Sequence, residues 1–187
     1  AVVFNSAYTS NPASVYDSNA QKVVIGYGNS GSSGAGTAIV ATISGTSVSY
    51  GTPTEFQPGA SNAYISLAFD SVNNKIAVIY EDTASTNYGH GIVGTVSGTS
   101  ISFGTSVVFS AATTTFISAT YNVAAANILI FFRDTPYNGT IVSASISGTA
   151  ISFGTETIIV SGSTEYNSSA YDVTNGKVVA TYKNSTS

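Results

Sequence analysis

Carboxylates and amides recur along this chain at fixed spacing, and the spacing decides what chemistry they offer. Asp17, Asp70, Asn122 and Asp172 each follow an aromatic residue, in Tyr16-Asp17, Phe69-Asp70, Tyr121-Asn122 and Tyr171-Asp172. A ring of such groups would bind cations, but Asn122 lacks the charge a metal ring wants. An Asp or Asn that opens a tight turn bonds its own backbone, and turn chemistry is the better reading. A second series, Asn29, Asp82, Asp134 and Asn184, lies two residues beyond the repeated aromatics Tyr27, Tyr80, Phe132 and Tyr182. Half of its members are uncharged amides, so turns again fit better than catalysis. Glu81-Asp82 and Arg133-Asp134 bring the densest charge to these loop starts. A glycosidase needs two carboxyl groups roughly 5–10 Å apart across a cleft, and nothing in the sequence pairs them.

His90 is the single histidine. It aligns with Thr37 and Thr140, so it reads as drift at an exposed strand position that elsewhere holds a small hydroxyl. One histidine without a G-x-S-x-G turn specifies no Ser-His-Asp triad. The chain has no cysteine, which excludes disulfides, thiol nucleophiles and thiolate metal sites together. No His and carboxylate cluster has zinc spacing, and no phosphate-cradling G-x-x-x-x-G-K-S/T is present. No catalytic residue, metal or cofactor is expected.

The aromatics offer more. Tyr64, Phe116 and Tyr166 each stand six residues before a turn residue, Asp70, Asn122 and Asp172. In a β-propeller they would ring the mouth of the central channel, on the face that carries the loops starting at Asp82 and Asp134. Exposed rings among Asn, Asp and Thr are what sugar faces stack on. Tyr64, Phe116, Tyr166, Asp82 and Asp134 are therefore the candidate glycan-binding residues. Packing between blades is the competing use of the rings.

These positions are set by an internal repeat. Ser44-Gly45-Thr46-Ser47-Val48-Ser49-Tyr50-Gly51-Thr52 returns at 97–105 and again at 147–155, spacings of 53 and 50 residues. Periods of this length mark propellers and solenoids. Within the second copy, Tyr64–Phe69 alternates, Lys75–Tyr80 is a β-branched run, and Gly91–Val96 and Ser100–Phe109 follow across a Gly turn. Short β-branched runs between turn residues are the all-β signature. The spacing predicts a β-propeller of ~50-residue, four-stranded antiparallel blades in a WD-like strand order. One repeat domain spans 1–187, with blades near 1–56, 57–109 and 110–160 and a partial one at 161–187. Val2–Phe4 aligns with Val107–Phe109, so the chain is expected to open inside an outer strand, offset by one strand, and to be incomplete at its C-terminus.

Composition fits a chain whose surface is polar without being charged. Only 7% of its 187 residues are charged, against roughly 25% in a typical domain; 30 Ser and 24 Thr supply polarity instead. A net charge of −4 argues against nucleic acid and anionic membrane as partners. The longest apolar run, around Asn127–Phe132, is far short of the ~20 residues of a membrane span. No basic-then-apolar leader precedes Ala1 and there is no initiator Met, which reads as a processed product or an excised piece. The surface composition suggests an extracellular or virion location.

The Ser-Gly-Thr-Ser-Ile-Ser-Phe-Gly-Thr core at 97–105, with the Tyr/Phe-Asp pairs and the run at 73–80, resembles repeats of marine bacteriophage tail-fibre-like proteins. The resemblance spans essentially the whole chain and implies a fibre or receptor-binding context without a catalytic residue. The leading expectation is a non-enzymatic module for adhesion, receptor binding or display. A lectin with one weak site per blade is the second, and a glycan-processing hydrolase the third. Unpaired strand edges lead to the further expectation of a homo-oligomer.

Overall fold

The computed structural model describes residues 2–59, 62–84 and 87–184. Among them the regular structure is antiparallel β apart from one 3-10 turn, Ser30–Ser32. The first sheet holds β1 (Thr9–Asp17), β2 (Lys22–Asn29), β3 (Ala35–Ser44), β4 (Ser47–Tyr50) and β5 (Thr54–Gln57). The second holds β6 (Asn62–Asp70), β7 (Lys75–Asp82), β8 (Tyr88–Ser97), β9 (Ser100–Phe103) and β10 (Val107–Thr113). The third holds β11 (Thr115–Asn122), β12 (Asn127–Arg133), β13 (Gly139–Ser147), β14 (Ala150–Phe153) and β15 (Thr157–Val160). A two-stranded sheet, β16 (Thr164–Asp172) and β17 (Lys177–Asn184), follows.

Local chemistry makes the first hairpin of each sheet. Asp17 Oδ1 accepts from the backbone N–H of Asn19 and Ala20, Asp70 Oδ1 from Val72 and Asn73, and Asp172 Oδ1 from Thr174 and Asn175. Asn122 Oδ1 does the same for Ala125. These are Asx turns, and they bring β1 against β2, β6 against β7, β11 against β12 and β16 against β17. Alternation then sorts side chains by face. On β7, Ile76, Val78 and Tyr80 pack toward the first sheet with Val24, Val40 and Phe56, while Ala77 and Ile79 pack toward the third with Ile128, Ile130 and Phe132. Each buried aliphatic side chain contributes about 1.5–3 kcal/mol. The innermost strands β1, β6, β11 and β16 lie side by side in that order, giving a propeller-like, all-β arrangement.

Two expectations need correction. The outer edge is not one strand: β4 and β5 both pair with β3, β9 and β10 with β8, and β14 and β15 with β13. The first three sheets are therefore five-stranded. The break falls at Gly51, Gly104 and Gly154, whose N–H groups donate to Val40, Val93 and Ser143. Glycine is needed at the first two because a Cβ there would run into the carbonyl oxygens of Thr99 and Thr149. The second correction is at the start, where Val2–Phe4 forms no strand. Phe4 alone keeps the repeat's geometry, 5.1 Å from Tyr27 and 6.0 Å from Tyr50. Phe56 sits likewise against Tyr80 and Phe103, and Phe109 against Phe132 and Phe153.

Candidate functional site

Each innermost strand carries one extra residue at the same place. Tyr64 and Ile65 lie between the pairs Ala63↔Glu81 and Ser66↔Ile79, so two residues oppose Tyr80 alone. Asn11-Pro12, Phe116-Ile117 and Tyr166-Asn167 repeat this bulge. The first residue of each is left-handed, with φ of 46° at Asn11, 48° at Tyr64, 50° at Phe116 and 53° at Tyr166. Glycine is the usual occupant of such a bulge, and a bulky residue there costs on the order of 1–3 kcal/mol. Tyr64 also packs against the core between the second and third sheets.

The bulge places Ile65 and Ile117 in the core and brings the rings together. Tyr64 lies 5.1 Å from Phe116 and Phe116 5.4 Å from Tyr166, centroid to centroid. Tyr64 and Phe116 are half-buried and Tyr166 is 72% exposed. The four bulge pairs line an axial cleft of about 240 Å³. Asn167 forms part of its wall, and neither its amide nitrogen nor its amide oxygen has a hydrogen-bond partner. A larger groove of about 450 Å³, beside Tyr16, Gln21, Lys22, Val23 and Ile43, lies away from these rings.

Charged residues stand beside the bulges at one repeat position, the residue after Tyr80, Phe132 and Tyr182. Arg133 stacks its guanidinium over Phe116 at 4.6 Å, with Tyr137 at 5.3 Å on another side. Its Nε donates to Thr115 Oγ1 at 2.9 Å, and Nη1 lies 3.5 Å from Glu165 Oε1. Lys183 pairs with the other oxygen of Glu165 at 3.1 Å and lies 5.8 Å from the Tyr166 ring. Glu81 is 5% exposed, and its side chain has no hydrogen bond or ion pair among the described residues. Burial pushes its carboxyl up to about 7.

Asp82 and Asp134 do not join the rings. Asp82 accepts from Gln57 Nε2 and the Ala84 N–H, and Asp134 from the Asn138 N–H and Thr140 Oγ1. Both carboxylates shape the loops after β7 and β12, and neither lines the cleft that the rings form. Asn29 does the same for the N–H of Gly31.

No family model and no curated protein matches this chain. Among solved structures it is similar to an exo-β-1,3-galactanase from Phanerochaete chrysosporium, crystallised with β-1,3-galactotriose, at TM-score 0.54 and 16% identity. The match covers 84% of this chain and 38% of that one, whose fold is a five-bladed β-propeller. At this identity the likeness concerns the fold. It agrees with the side-by-side packing of β1, β6, β11 and β16.

The sequence reading did not assign Asn11, Asn167, Arg133 or Lys183 to the site. Asn11 was legible, because it stands six residues before Asp17 as Tyr64 does before Asp70. Arg133 and Lys183 also share a repeat position, one residue after Phe132 and Tyr182. Asn167 had no signal, since its unpaired amide is a property of the packed bulge.

Proposed function

We propose that this chain is a carbohydrate-binding, β-propeller-type module that holds a glycan in the axial cleft. The observation that carries it is the row Tyr64–Phe116–Tyr166 at left-handed bulge positions beside the unpartnered amide of Asn167. Rings offer apolar faces to the C–H surface of a sugar, and an unsatisfied amide that costs about 1–3 kcal/mol is relieved by a sugar hydroxyl. The cleft lining holds no carboxylate, and the nearby Glu165 is held by Arg133 and Lys183. That favours retention of a glycan over cleavage of a glycosidic bond. In this reading the module serves adhesion or receptor binding outside the cell or on a virion, in a fibre-like setting. Exposed Ile158, Ile159, Val179 and Tyr182 support assembly with further copies.

The test is a glycan array followed by titration of the bound sugars, with β-1,3-galactotriose among the probes. Tyr166→Gly separates use from folding. It removes an exposed ring and relieves a left-handed aromatic, so thermal stability should hold or rise by about 1 kcal/mol. Glycan affinity should fall about tenfold, some 1.4 kcal/mol. Unchanged affinity for every bound sugar would refute the site.

A further inference from the structure

The outer corner between the first two sheets carries a line of polar groups that the axial cleft does not use. His90 on β8 stacks on Tyr80 of β7, with centroids 5.7 Å apart and ring planes 26° apart. Its Nδ1 lies 3.1 Å from Ser106 Oγ, and its Nε2 lies 3.9 Å from Asp82 Oδ2. Asp82 is 3% exposed and fixed by Gln57 and the Ala84 N–H. The Tyr80 hydroxyl lies 2.9 Å from Ser106 Oγ and 3.3 Å from Gln57 Oε1. Ser106 occupies the step between β9 and β10. Its backbone N–H and that of Thr105 donate to no acceptor among the described residues.

The repeat makes this corner singular. Where the second sheet has His90, the first has Thr37 and the third Thr140; where it has Ser106, they have Pro53 and Glu156. His90 is also not the exposed drift position the sequence suggested, since only 13% of its side chain is accessible. Two independent departures from the repeat meet beside one Asp.

We propose that Ser106 is an acyl-accepting nucleophile with His90 as its general base and Asp82 as the positioning residue, and that this corner hydrolyses short-chain acyl esters. The carboxylate facing Nε2 favours the tautomer with hydrogen there, which leaves the Nδ1 lone pair to accept the serine hydroxyl. Burial holds His90 below its ordinary value, partly opposed by Asp82, so the ring is neutral at neutral pH and free to take a proton. Burial pushes the Tyr80 phenol up to about 12; it stays protonated, and its one hydrogen is divided between Gln57 Oε1 at 3.3 Å and Ser106 Oγ at 2.9 Å. The free N–H groups of Thr105 and Ser106 are the local donors available to a carbonyl oxygen that gains charge.

In the first step Ser106 Oγ bonds to the ester carbonyl carbon and its proton passes to His90 Nδ1. The bond to the alcohol oxygen breaks, and that oxygen leaves with the proton from Nδ1. Water then attacks the acyl-serine, losing its proton to Nδ1, and the proton returns to Ser106 as the acid departs. The sum is ester plus water to acid plus alcohol. Ser106 lines neither the axial cleft nor the larger groove, so this corner is independent of the glycan site.

A fluorophosphonate probe read by mass spectrometry, with p-nitrophenyl acetate for turnover, tests this on the whole chain. One adduct is expected, on Ser106, and Ser106→Ala should lose it while keeping its thermal unfolding. His90→Thr, the residue neighbouring sheets carry there, should slow labelling by about 100-fold or more; if it unfolds, His90→Gln reads the same loss. Asp82→Asn should move the acidic limb of the pH–rate profile to lower pH, because it removes the charge that raises His90. No adduct, an adduct on another serine, labelling undiminished without His90, or an unmoved profile in Asp82→Asn overturns the assignment.

Discussion

The strand ends Tyr80-Glu81-Asp82 and Phe132-Arg133-Asp134 occupy the same place in successive sheets and solve it differently. At the second, Thr140 donates straight to Asp134, Phe132 has no hydroxyl to satisfy, and Arg133 is held by Thr115, Glu165 and the Phe116 ring. Each of these polar side chains has a local partner. At the first, the imidazole of His90 stands where a threonine hydroxyl would, with Nε2 3.9 Å from Asp82 Oδ2 and no hydrogen bond, and the Glu81 carboxyl is buried with no partner among the described residues. One backbone scaffold thus supports a closed corner and an open one. The repeat supplies packing through its aromatics, and side-chain substitution alone decides whether polar groups remain available.

The aromatic position that both corners share should give the greatest loss when emptied. Phe132→Ala should cost about 3–5 kcal/mol in urea or thermal unfolding, because it empties a fully buried ring site between two sheets. A loss below about 1 kcal/mol, under the range for such truncations, would mean that the aromatic contacts do not hold the sheets together.

The next contrast is electrostatic. Glu81 is raised from 4.5 to about 7, so between those values the folded chain binds a proton that the unfolded chain has released. Stability contributed by this group is full below about 4.5 and is lost as pH rises toward 7, by roughly 1–3 kcal/mol. His90, lowered in the fold, acts oppositely and loses stability as pH falls below its ordinary 6.5. Comparing the pH dependence of unfolding in the unaltered chain and Glu81→Gln isolates the first: the variant should lack the decline. Parallel curves would show that Glu81 is solvated.

Two smaller changes make each corner resemble the other. Thr140→Val withdraws the hydroxyl from Asp134 and should destabilise by about 1.5–3 kcal/mol, the range for a hydrogen bond to a charged group. Tyr80→Phe copies Phe132 into the second sheet and should cost only about 0.5–1 kcal/mol, since Ser106 and Gln57 can turn to water. Chemical denaturation checks both. A larger loss in Tyr80→Phe than in Thr140→Val would reverse the contrast between closed and open corners.

What could be read from the residues was local or periodic. The Asx turns at Asp17, Asp70, Asn122 and Asp172 bond within three positions along the chain, and β-branched runs between them dictate antiparallel hairpins. The repeat likewise marks Tyr64, Phe116 and Tyr166 as equivalent. Only the packed structure decided the rest. An added residue at each bulge reverses the alternation of side chains between faces, so no reading of alternation could say that the rings would meet while Ile65 and Ile117 turned inward. The outer edge breaks at Gly51 and Gly104 because a neighbouring sheet's backbone approaches there. Asp82 meets Gln57 across 25 positions of chain, and His90 meets Ser106 across 16. Such partners are chosen by how strands and sheets stack, which is a contest of buried area and hydrogen-bond satisfaction across the whole molecule and is not encoded in any short segment of it.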